Sequence, residues 1–166
     1  MAYELFLLPV PDGADVEETG EALLVRLTRG HERTTLSAAA LARAQDIARR
    51  LTDAEPDLVV SPAVIEGSIE LNATSGLQIA LTDRFARFLV PFAHHGEAAG
   101  AAFRQLFSLL ALVAEVTGWR SYDPQEGEAV ALDDATRDSV LEIYLTVMDQ
   151  LRPAGSVTGA SGALFA

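Results

Sequence analysis

The side chains able to do chemistry in this 166-residue chain are few in kind: three histidines, 24 carboxylates, some serines and no cysteine. His94 and His95, followed by Glu97, come nearest to a metal-ligand cluster. Neighbouring side chains on an extended segment point to opposite faces, so both imidazoles reach one ion only where the backbone bends. The spacing matches no zinc signature of the His-Glu-x-x-His kind, and a solvated joint between a strand and a helix also accounts for it. Paired carboxylates do acid–base work where burial splits their pKa values; Glu66 and Glu70 are the first candidates and Asp123 the third. Most carboxylates are simply exposed, so chance proximity is the plainer reading. None of the serines lies in a Gly-x-Ser-x-Gly elbow, and nothing selects a triad built on His31, His94 or His95.

Whole classes of function drop out on composition. Without cysteine there are no disulfides, thiol nucleophiles or cysteine-bound metals. All 12 basic residues are arginine, so a P-loop lysine and Schiff-base chemistry are absent too. The formal net charge of -12 repels phosphate, which disfavours nucleic acid and anionic membranes as partners. Arg26, Arg29 and Arg33 fall at near-helical spacing, but Gly30 interrupts them. No cofactor is expected. The N-terminal MAYELFLLPVPDG has no basic n-region, and the apolar stretch 98–116 is broken by Arg104, Gln105 and Glu115. It reads as a core helix, since a membrane span needs ~20 mostly apolar residues. The expectation is a soluble, cytoplasmic protein.

The elements that must position any site centre on residues 69–92, IELNATSGLQIALTDRFARFLVPF. Three short runs alternate apolar and polar residues between turn-type residues, the pattern of a three-strand meander. Leu71, Leu77, Ile79 and Leu81 belong to the greasy side. Glu70, Asn72, Gln78, Thr82 and Arg87 are expected on the other, a polar face suited to docking or dimerisation, although antiparallel sheets commonly leave such a face in water.

Around the meander, residues 3–10 form a largely buried first strand. Asp15 caps a helix whose stripe is Val16, Leu23, Leu24 and Leu27, with Gly20 as its weak point. Ser37 caps a second helix to about Leu51, with Leu41, Ala44, Ala48 and Leu51 on one face. Residues 58–60 are a brief strand, and the connection to Gly67 is irregular or an edge strand. A long helix from Glu97 to Thr117 ends at Gly118, with Gly100, Ala101 and Ala102 letting it approach the sheet. Residues 119–123 form another strand, 129–132 pair briefly, and Asp133 or Asp134 caps a last helix that Pro153 stops.

Tyr3-Glu4-Leu5, the Ile69-Glu70-Leu71 strand and the Tyr122-Asp123-Pro124-Gln125 turn resemble pieces of a group of small uncharacterised bacterial proteins. The resemblance implies an α+β fold and no established reaction; loosely similar proteins encoded near toxins suggest an immunity-like role. The residue pattern independently predicts a two-layer α+β sandwich, β-α-α-β-β-β-α-β-α, with a mainly antiparallel sheet of about five strands and helices on one face. It is a ferredoxin-like variant whose first and last strands can insert among the meander strands. Residues 1–153 make a single domain and 154–166 a flexible tail. The expected function is a non-enzymatic acidic module that binds a protein partner or itself. The alternative is a small hydrolase or metal-dependent enzyme using Glu66, Glu70, His94 and His95.

Overall fold

The computed structural model describes residues 2–28, 37–61 and 68–151. Its elements follow the expected sequence: β1 (Ala2–Leu8), α1 (Val16–Thr28), α2 (Ala38–Ala54), β2 (Val59–Ser61), β3 (Ile69–Asn72), β4 (Gln78–Leu81), β5 (Ala86–Pro91), α3 (Gly96–Thr117), β6 (Arg120–Asp123), β7 (Glu128–Ala129) and α4 (Asp134–Leu151). The proposed tail, Pro153 and the connection through Glu66 lie outside the described residues.

The start and stop signals work as their chemistry dictates. Asp15 Oδ1 accepts from the backbone N–H of Glu17 at 2.8 Å and of Glu18 at 3.1 Å, and Ser37 Oγ accepts from Ala40 N at 3.2 Å. Of the two aspartates before α4 it is Asp133 that caps, accepting from Thr136 N at 2.7 Å. Those bonds hold its carboxyl below the usual range. Gly118 ends α3 at φ 72°, a conformation that costs glycine no Cβ clash.

All strand pairs are antiparallel, in the order β2-β3-β4-β5-β1-β6-β7. The architecture is the expected α+β sandwich with an open sheet. Two very short edge strands, β2 and β7, raise the count from about five to seven. The meander stays contiguous: β1 and β6 add beyond β5 rather than inserting among its strands.

The pleat then assigns every side chain to a face. Tyr3, Leu5 and Leu7 of β1 stand beside Val90, Phe88 and Ala86 of β5, and this side carries the main core beneath α2, α3 and α4. Tyr144 of α4 sits in it against Phe103, Phe92 and Tyr3, with ring centroids 5.0, 5.1 and 6.5 Å away. Its hydroxyl donates to Pro91 O at 2.7 Å and accepts from His94 N at 3.0 Å, tying α4 to the joint after β5. α3 is long and apolar enough to span a membrane by length and composition, and its apolar side is spent on this core. Ala99 and Ala102, rather than Gly100, make its close approach. Leu41 of α2, expected inside, is left 39% exposed beside the β2 edge.

The helices do not all lie on one face. α1 crosses to the reverse side, where Val16 and Leu23 pack with Phe6, Leu8, Phe85 and Tyr122 in a second, smaller core. β1 is therefore apolar on both sides for most of its length. Gly20 is what brings α1 close: a Cβ there would lie 2.6 Å from the Tyr122 ring. The glycine read as a weak point is a contact requirement. Gly20→Ala removes ~1 kcal/mol of helix-propensity cost but forces the ring or the helix to shift, an overpacking penalty of about 1–3 kcal/mol. The expected result is a variant less stable than wild type by urea denaturation; a gain in stability would show that the ring yields freely.

Candidate functional site

The half of the reverse face that α1 does not cover holds most of the expected surface. Two rows of side chains cross it. Glu70 lies opposite Ala80, and Ala80 opposite Arg87; one step along the strands, Asn72 lies opposite Gln78, and Gln78 opposite Leu89. Together they line a shallow hollow of about 160 Å³ with Ala80 at its floor. Strand pairing thus brings Glu70, Asn72, Gln78 and Arg87 to one surface, as the alternation demanded.

Thr82 is the exception. It shares the parity of Gln78 and Ala80 but sits in the β4–β5 turn, 5% exposed. Its hydroxyl donates to Phe85 O at 2.8 Å and accepts from Phe85 N at 3.0 Å and Arg84 N at 3.2 Å. A threonine before a tight turn can satisfy turn amides with its own side chain, and this one is used up doing so.

The surface is organised by one partly buried ion pair. Arg87 Nη2 donates to Glu4 Oε1 at 2.6 Å, with both side chains more than two-thirds covered. A charge-assisted bond of this length is at the short end of the range and holds the guanidinium in place. Glu4 comes from β1, on the far side of β5, so only strand order reveals it. At the β2 side, Asn72 Nδ2 donates to Ser61 Oγ at 2.6 Å, and Ser68 Oγ lies 3.5 Å from Glu70 Oε1. Beyond Arg87 a second hollow, about 390 Å³, opens between the sheet and α1 and is lined mainly by Phe6, Leu24, Leu27 and Phe85.

The three described residues of the catalytic alternative, Glu70, His94 and His95, do not converge. His94 and His95 stand in the joint between β5 and α3, on the side of the sheet that carries α3 and α4, whereas Glu70 points from the reverse side. Glu66, His31, Arg29 and Arg33 lie outside the described residues. Among the described residues no group of three His, Asp or Glu side chains could hold a metal ion. Ser37 is a cap and Ser75 a turn residue whose hydroxyl donates to Gln105 Oε1 at 3.0 Å.

Asp123 is placed by the structure in a way that spacing alone did not suggest. It is 2% exposed on the core side of β6 and accepts from the Tyr3 hydroxyl, from Gln125 N at 2.8 Å and from Glu126 N at 3.3 Å. With its amide turned to donate, Gln125 also reaches Glu4 O and Asp123 Oδ1, each at 2.9 Å. The Tyr3-Glu4 and Asp123-Pro124-Gln125 segments are thus one interlocked unit, which sews β1 to β6.

Burial pushes the Asp123 carboxyl above its ordinary value, outweighing the Tyr3, Gln125 and Glu126 donors that favour the anion. Burial and the Asp123 hydrogen bond push the Tyr3 phenol up as well. The raised carboxyl makes the folded state the tighter proton binder. Its stabilising contribution is complete below about pH 3.9, the unfolded value, and is lost as pH rises through the raised folded value. The stability difference between wild type and Asp123→Asn should therefore shrink as pH rises from 4 to 7 in denaturant titrations. A difference that grows with pH would mean the three donors outweigh burial. No known protein family, curated protein or solved structure matches the chain, so the reading of its surface rests on this geometry.

Proposed function

We propose that the chain is a non-enzymatic binding module that receives a protein partner on the open half of its sheet, in an immunity-like or regulatory role. The observation that carries the reading is the hollow over Ala80. A carboxylate, two carboxamides and an anchored guanidinium surround one small floor residue on rigid, mutually paired strands. Side chains held on strands meet a partner with little ordering cost, which favours recognition. The contact between the Ser68 hydroxyl and the Glu70 carboxylate, at 3.5 Å, is long for a nucleophile and its base, and among the described residues His94 and His95 stand on the other side of the sheet from it. The surplus of 24 acidic over 12 basic residues supports steering by charge and keeps nucleic acid an unfavourable partner.

The test is affinity capture at low and moderate salt with wild type and Ala80→Arg. The arginine stem can lie along the sheet with its head in water, so the fold is expected to survive; circular dichroism checks this. Wild type should retain a protein that Ala80→Arg loses by at least about tenfold, the effect of a charge placed wrongly in an interface. Capture of nothing by wild type, a second copy of this chain included, or of the same protein equally by both, would refute the reading.

A further inference from the structure

We propose that the occupant of the open half-face is a second copy of this chain, related by a two-fold axis lying along β4 above Ala80; this rests on the binding-module reading just given. The row across the sheet runs Glu70, Ala80, Arg87. Neighbouring strands are ~4.8 Å apart, so opposite charges flank the alanine at equal distances. A rotation about β4 exchanges the two flanks and sets Glu70 of each copy over Arg87 of the other. The patch is thereby complementary to itself, which is what an isologous interface requires. A partner of one charge sign would be opposed by half of the row.

Further features agree. Packed sheets stand ~10 Å apart, room enough for glutamate and arginine side chains between them. Gln78 lies on the axis with both a donor and an acceptor on its carboxamide and so can match its own copy, while the rotation carries Asn72 over Leu89. A guanidinium has five N–H donors, and the bond to Glu4 engages one of those on Arg87. The same rotation also carries α1 of the second copy toward the β2 edge, where Val59 is 64% exposed on this face. Each copy carries a net charge of -12, so association is to be read near 0.15 M salt, where the Debye length is ~8 Å.

Sedimentation velocity on wild type, Glu70→Arg, Arg87→Glu and an equimolar mixture of the two variants tests the arrangement. Wild type should dimerise. Each variant alone sets like charges together twice and should raise the dissociation constant at least about tenfold. The mixture should regain association, since every crossing pair is again opposite in charge. A wild type that is monomeric at every concentration, or variants that dimerise as well as wild type, overturns the proposal. Arg87→Glu also faces Glu4; if it fails to fold by circular dichroism, Glu70→Arg and Ala80→Arg must both be monomeric for the proposal to stand. A monomeric wild type that still captures a protein lost by Ala80→Arg overturns self-pairing alone, whereas a monomer that captures nothing overturns the binding reading with it.

Discussion

One strand with two apolar faces sets the terms for everything else in this molecule. β1 gives Tyr3, Leu5 and Leu7 to the large core and Phe6 and Leu8 to the small one. Side chains of both parities must leave water, so β1 cannot be an edge strand, nor can the reverse side of the sheet beside it stay bare. It lies between β5 and β6, and α1 is drawn across to cover its second face. Each fully buried leucine or phenylalanine contributes ~1.5–3 kcal/mol by leaving water, enough to hold a helix with only a narrow apolar stripe. The close fit of Gly20 against Tyr122 is the local expression of that demand.

Covering one end of the reverse face leaves the other end defined by contrast. Over β3, β4 and β5 the same parity carries Glu70, Asn72, Gln78, Ala80, Arg87 and Leu89, a set that can remain partly wet. The boundary between the covered and open halves runs through Arg87. It lines the hollow beneath α1 as well as the one over Ala80, and its head is fixed by Glu4. The ion pair is partly buried, so its net effect on stability is small against desolvation, but its geometric effect on the surface is large. Tyr3, Asp123 and Gln125 do the corresponding work on the core side, where several donors converge on a carboxyl that burial still pushes above its ordinary value.

Local signals were readable because they act within a few residues. Asp15, Ser37 and Gly118 mark helix ends through bonds to amides and carbonyls one turn away, and the alternation in 69–82 names the faces of β3 and β4, whereas in β5 only Arg87 signals the polar side. Thr82 has the parity of the polar face but not its exposure, because parity ceases to matter where a strand becomes a turn. The helical spacing of Leu41 predicts burial, yet it stands exposed near Val60 and Ile69 at the β2 edge, where only a short strand lies beneath α2.

By itself the sequence determined the element order, the caps, the α+β class and the four side chains that share the open face, since periodicity and turn chemistry are properties of neighbours in the chain. Only the tertiary structure decided that Glu4 meets Arg87 across 83 residues, that Tyr3 meets Asp123 across 120, and that α1 lies on the reverse side. The physical reason is that strand order and helix placement follow from the total apolar area buried, a sum over the whole molecule that no local spacing encodes.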